Sequence, residues 1–127
     1  MAKPAQHWKE KPEKHDFPAA ADYLALVLTD AEVASVLKKL STATNTKKKA
    51  KDLLRASGLT LLPRDNPHVA DNLKKVSKGQ KLSPVLLVRG DLGLGVPLTI
   101  ADGYHRVSAS YYLDEDADIP CRLVDLT

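Results

Sequence analysis

Asp102-Gly103-Tyr104-His105-Arg106 is the segment whose residue types and spacing best suit chemistry in this chain. It follows the apolar run Leu98-Thr99-Ile100-Ala101, so a strand empties into Asp-Gly and a helix begins at once, running from about Tyr104 to Leu113. The first turn of such a helix leaves backbone N–H groups without intrahelical acceptors and carries the positive end of the helix dipole; together these make an anion site. Gly103 permits a positive φ or a close approach of backbone to ligand, and His105 and Arg106 add donors to a phosphate or carboxylate. Asp102 reads most simply as the N-cap, accepting from the N–H of Tyr104 or His105. A bare carboxylate repels phosphate, so a direct part for Asp102 in ligand binding calls for Mg2+.

A second helix start, Asp65-Asn66-Pro67, brings His68 and Asn66 into consideration, either lining the same pocket or facing solvent. The candidates for a catalytic role are therefore His105, Asp102 and His68, and those for holding a ligand are Gly103, Tyr104, His105, Arg106 and Asn66. Arg106 has an alternative partner in the acidic stretch Asp114 to Asp118. Cys121 has no cation beside it in sequence to lower its pKa and reads as a small buried hydrophobe. Gly90, Gly93 and Gly95 do not make a Gly-x-Gly-x-x-Gly cradle and suit a hairpin turn. Lys47-Lys48-Lys49 with Lys51 suit a solvated helix face or a polyanion contact. The four histidines and one cysteine show no paired metal-ligand spacing.

The elements that must position these residues follow from periodicity and caps. Residues 1–17 are polar and Pro-containing and read as a flexible arm. Residues 18–58 read as a helical extension: a helix from Pro18 through Leu28, a second behind the capping box Thr29-Asp30-Ala31-Glu32, and a third over Lys47 to Ala56 ended by Gly58. From residue 59 the pattern changes to short apolar runs. Strands are expected at Leu59–Leu62, Val85–Val88, Leu98–Ala101 and Ile119–Val124, with a helix from Asn66-Pro67 to Gly79. The second and third of these strands form an antiparallel hairpin. The 59–127 unit, at about 70 residues, is near the lower end of independently stable sizes, so the extension is expected to help cover its core.

Ser83-Pro84-Val85-Leu86-Leu87-Val88-Arg89-Gly90, the glycine-containing hairpin, Ile100-Ala101-Asp102-Gly103-Tyr104-His105-Arg106 and Ile119-Pro120-Cys121-Arg122-Leu123-Val124 together resemble the ParB/sulfiredoxin superfamily, over roughly residues 59–127. The resemblance implies an α+β fold, a small mixed sheet packed by helices, in which the strand-Gly-x-His-Arg-helix junction cradles nucleotide phosphates. It also implies ATP or CTP with Mg2+ as the ligand, and Gly103, His105 and Arg106 as its phosphate contacts. Tyr104 stands where the sulfinic-acid repair enzymes of that superfamily carry a reactive cysteine, which removes the thiol nucleophile and speaks against that activity. The Glu-Arg-Arg of partition proteins is also absent here.

The composition is 43% hydrophobic and 28% charged, and its longest apolar run, Tyr23 to Leu28, is far too short to cross a bilayer. No secretory signal pattern opens the sequence, and one cysteine permits no intramolecular disulfide, so a cytoplasmic location is expected. Residues 1–81 hold 16 Lys/Arg against 9 Asp/Glu, and residues 82–127 hold 3 against 7. The expected function is binding of a nucleotide or other phosphate-bearing small molecule at the junction 102–106, with a nucleotide-dependent phosphotransferase or nucleotidase (NTPase) activity as the enzymatic version. The alternative is a non-catalytic module that contacts DNA, RNA or protein through the basic N-terminal helices. A homo-oligomer is compatible with either.

Overall fold

A computed structural model of the chain describes residues 7–127. Five helices and a four-stranded sheet make up its regular structure: α1 (Asp16–Leu24), α2 (Asp30–Thr42), β1 (Thr46–Lys49), α3 (Ala50–Ser57), α4 (Pro67–Ser77), β2 (Val85–Val88), β3 (Thr99–Asp102), α5 (Tyr104–Leu113) and β4 (Asp118–Val124). The fold class is α+β, as the sequence predicts. Strand order is β1-β4-β2-β3. The β2–β3 hairpin is antiparallel, β4 runs parallel to β2, and β1 adds an antiparallel edge to β4.

The hydrophobic alternation along β2 explains the layering. Leu86 and Val88 project into a cluster with Ala20 and Leu24 of α1 and Val36 and Leu40 of α2. Val85 and Leu87 project to the other face, where they meet Leu53 and Leu54 of α3, Val76 of α4, Val107 of α5, and Ile119 and Cys121 of β4. A strand buried on both faces must be apolar at every position, and Val85-Leu86-Leu87-Val88 is. Helices α1 and α2 thus cover one face and α3, α4 and α5 the other.

Local signals place most boundaries. Thr29 and Glu32 form the reciprocal capping box at the start of α2, at 3.2 and 2.9 Å. Asn66 caps α4, with Pro67 at its first position. Gly58 ends α3 in the left-handed conformation at φ +69°, where a side chain is disfavoured.

Four expectations are corrected. Lys47 to Lys49 are the edge strand β1 rather than the first turn of α3, so the 18–58 segment supplies a strand of the sheet as well as helices. An edge strand needs one ladder partner and lysines that discourage a second, and these residues provide both. Leu59 to Leu62 form no strand: this segment runs over α5, its carbonyls at Thr60 and Leu62 accepting from the Tyr104 and Tyr112 hydroxyls and its Leu62 N–H donating to Ser108 Oγ. Those side chains take the place of a ladder. The first helix begins at Asp16 and ends at Leu24, the residues to Leu28 forming turns. The flexible arm expected over 1–17 lies partly outside the described residues; of the remainder, Trp8 is buried at 5% exposure and its flanking backbone pairs with Leu82 at 2.7 Å on each side. One indole supplies the apolar surface that the polar composition of this stretch conceals.

Candidate functional site

The junction between β3 and α5 is as abrupt as the sequence predicts. Asp102 is the last residue of β3 and Tyr104 the first of α5. Gly103 between them turns the chain at φ +120°, a conformation open essentially to glycine alone, and a Cβ there would come within 2.8 Å of Val85 Cγ2 and 3.0 Å of Arg106 Nη2. As the helix N-cap, Gly103 brings no side-chain acceptor. The helical ladder starts only with Val107 N–H to Gly103 O at 2.9 Å, so the N–H groups of the first turn have no acceptor in the helix, and the positive end of the dipole is uncapped.

These groups border a polar cleft of about 220 Å3 between α4 and α5. From the β3–α5 side it is lined by Asp102, Gly103, His105 and Arg106, and from α4 by His68, Asp71, Asn72 and Lys75. The His68 and His105 rings face one another with centroids 4.7 Å apart and an interplanar angle of 52°. Burial, then the charge of His68 and that of Arg106, holds the His105 imidazole below its ordinary pKa, so it is neutral and able to accept a proton near pH 7. Lys75 supplies a cation to the lining of the cleft.

Arg106 is held from three sides. Its Nη2 donates to Asp102 Oδ2 at 3.0 Å and to the Pro84 carbonyl at 3.2 Å, and its Nη1 lies 3.9 Å from Asp16 Oδ1. Asp16 is 2% exposed and accepts the Glu13 N–H through Oδ2 at 2.9 Å. The buried Nε of Arg106 has no acceptor among the described residues. Burial pushes the Asp102 carboxyl above its ordinary pKa; Arg106 opposes this, and Asp16 adds to it.

His105, Arg106, Gly103, Asp102 and His68 are therefore brought together, but four sequence assignments change. Asp102 is not the N-cap of α5: at the end of the strand its carboxylate reaches along the helix to Arg106, four residues on. Arg106 does not meet the acidic loop, whose Asp116 pairs with Lys51 at 2.6 Å. Asn66 points its Oδ1 at its own helix, accepting from His68 N–H at 3.0 Å and Val69 N–H at 3.2 Å, and lies outside the cleft. The side chain of Tyr104 likewise leaves the cleft for Thr60, so only its backbone belongs to the junction.

Asp71, Asn72 and Lys75 are additions. They stand three, four and seven residues after His68, one face of a helix, so the periodicity of α4 carried the signal once His68 was placed. Cys121 is fully buried, and burial pushes its thiol up to about 11. It takes no part in the cleft.

The donor set does not suit a protein-held Mg2+. Among the described residues no group of three His, Cys, Asp or Glu side chains converges as a metal site, and Asp102 is engaged by Arg106 in surroundings that disfavour its charged form.

No protein family matches this sequence, and comparisons with curated proteins and with solved structures find no significant match.

Proposed function

We propose that the α4–α5 cleft binds the phosphate end of a nucleotide or other phosphate-bearing small molecule, as the ParB/sulfiredoxin resemblance of its residues implies. The observation that carries this reading is the uncapped start of α5, set behind a glycine at φ +120° and opening on a cleft with Lys75 and two facing imidazoles. Each supplies what an anion needs: unpaired N–H donors, a cation, and imidazoles that become cations on protonation. A cleft of about 220 Å3 is smaller than the roughly 300–1,000 Å3 typical of whole-ligand pockets. Phosphate is thus the part enclosed, and the remainder of the ligand lies over the rim. Neutral His105 is the group placed to accept a proton from an attacking hydroxyl or water, which is the step a phosphotransferase or nucleotidase requires.

The basic residues of the 18–58 segment support the nucleic-acid alternative less well. They are spread over α2, β1 and α3, and several are engaged: Lys39 with the Asp125 carbonyl, Lys51 with Asp116, and Arg55 with Asp52. A polyanion surface gathers its cations on one free face.

Calorimetry with ATP, CTP, GTP and inorganic phosphate, with and without Mg2+, tests the proposal. Binding is expected with at least one of them. Lys75→Ala should weaken it by about tenfold, the worth of one charge-assisted contact at about 1.4 kcal/mol, and His105→Ala should weaken it further at acid pH. Arg106→Ala is a poorer probe because it also strands the buried Asp16 and partly buried Asp102 carboxylates. Absence of heat with all four ligands rejects the reading.

A further inference from the structure

A second cavity, about 570 Å3, lies at the other end of the sheet from the α4–α5 cleft, between α3 and the β2–β3 turn. Its floor is apolar, built from Leu53, Leu87, Pro97, Leu98 and Leu123. Beside it the turn carries three apolar side chains into solvent: Leu92 at 98% exposure, Leu94 at 78% and Val96 at 49%. The turn that carries them is fixed by its own hydrogen bonds. Asp91 N–H donates to Val96 O at 2.8 Å and Val96 N–H to Asp91 O at 2.9 Å, the Asp91 carboxylate accepts the Leu94 N–H at 3.3 Å, and Gly95 turns at φ +70°. At Gly90 a Cβ would strike the Val96 carbonyl at 2.3 Å, so the two arms of the turn are pressed together. The turn is a fixed apolar knob next to an apolar hole.

We propose that the knob and the hole are the contact by which two copies of this chain pair about a two-fold axis, the Leu92–Leu94 turn of each seated against the groove of the other. A two-fold contact uses the same patch on both molecules, so a patch holding both a protrusion and a recess can complement itself. Its charges meet the same condition. The rim carries both signs, Lys48, Arg55 and Arg89 with Asp52 and Asp91, and Arg55 meets Asp52 and Arg89 meets Asp125 within the chain, so a copy turned over on itself finds a nearly neutralised rim, where a rim of one sign would repel its twin. An exposed apolar patch framed by polar groups is the usual mark of such an interface.

Sedimentation velocity over a wide concentration range decides the matter. The chain is expected to approach twice its 13.8 kDa mass at high concentration and to dissociate on dilution. Leu92→Asp with Leu94→Asp should hold it at the single-chain mass throughout, with an unchanged circular dichroism spectrum and the melting temperature of the dilute, dissociated wild-type chain. The gentler Leu92→Ser with Leu94→Ser should shift the equilibrium the same way. A wild-type chain of single mass at every concentration overturns the proposal. So does a dimer indifferent to both variants, which places the contact elsewhere, and so does a monomer whose groove binds an apolar dye, which assigns the groove to a small molecule.

Discussion

His105 and Asp102 lie on the same cleft and titrate in opposite senses. His105 has its pKa lowered by burial, by His68 and by Arg106, so the stability it contributes is present above the ordinary histidine value and is lost as pH falls through the folded value. Asp102, raised mainly by burial, contributes stability that is present below the ordinary carboxylate value and is lost as pH rises through its folded value. Between about pH 7.5 and about pH 5.5 the histidine dominates, because that window brackets its ordinary value. The melting temperature should fall on acidification across it, and His105→Gln should flatten the fall; an unchanged slope would show that the imidazole does not titrate there. Phosphate affinity, taken as the ratio of wild type to His105→Gln so that the phosphate's own titration near about pH 6 cancels, should move the other way, rising by up to about fivefold over the same window as the imidazole gains charge, the gain expected of a partly screened ion pair of up to about 1 kcal/mol. Opposed slopes for stability and affinity are a signature that a merely structural histidine does not produce. Arg106 shows what sequence could not supply at this scale: its spacing from Asp102 by four residues was visible, but the second carboxylate, Asp16, comes from a helix 90 positions away along the chain.

The β3–α5 junction works only if the strand ends and the helix begins within one residue, and Gly103 is that residue. Gly103→Ala adds two costs, a φ of +120° that an L side chain resists and a Cβ 2.8 Å from Val85. A stability loss of about 1–3 kcal/mol is expected by urea denaturation, together with loss of phosphate binding. Gly79→Ala is the control, since Gly79 has a positive φ of +77° but no atom within 4 Å of an added Cβ. Its smaller loss isolates the backbone contribution, and equal losses in the two variants would show that the junction is not crowded. Elements of this kind, fixed by local chemistry, were legible in the sequence: the capping box of α2, the Asn66-Pro67 start of α4, the hairpin and both ends of α5. Those that failed depend on partners remote in the chain. Lys47-Lys48-Lys49 have little intrinsic claim to be a strand until β4, about 70 residues on, offers Ile119 and Pro120 as ladder neighbours. Leu59 to Leu62 have the apolar look of a strand, but no free sheet edge receives them, and the hydroxyls of α5 do instead.

Over the whole molecule, two helical layers pack on the two faces of one sheet. Of the helices read as an extension, α1 and α2 make one of those layers, covering the face formed by Leu86, Val88, Ala101 and Val124, and α3 belongs to the other. Their connection to the cleft is direct, because Asp16 at the start of α1 holds Arg106 at the start of α5. The positive charge of the first two thirds is spread over these layers, and the cleft draws on backbone N–H groups and Lys75 rather than on the chain's total. Trp8 ties the segment ahead of α1 to the opposite layer, where it packs in the cluster of Leu53, Leu54, Val76 and Leu82 while its flanking residues pair with Leu82. The residues from Trp8 to Asp16 therefore strap one helical layer to the other around the sheet. Trp8→Ala should cost about 3–5 kcal/mol, the range for emptying a buried aromatic site. Denaturation in urea should remain a single transition with a lower midpoint, since the strap belongs to the same cooperative unit as the sheet. Phosphate affinity measured under native conditions should stay close to wild type, because the indole does not border the cleft. A loss below about 1 kcal/mol would place the strap outside the cooperative core, the size expected of a surface substitution. A loss of affinity at unchanged stability would instead mean that the strap acts on the cleft itself, through Asp16 and its hold on Arg106.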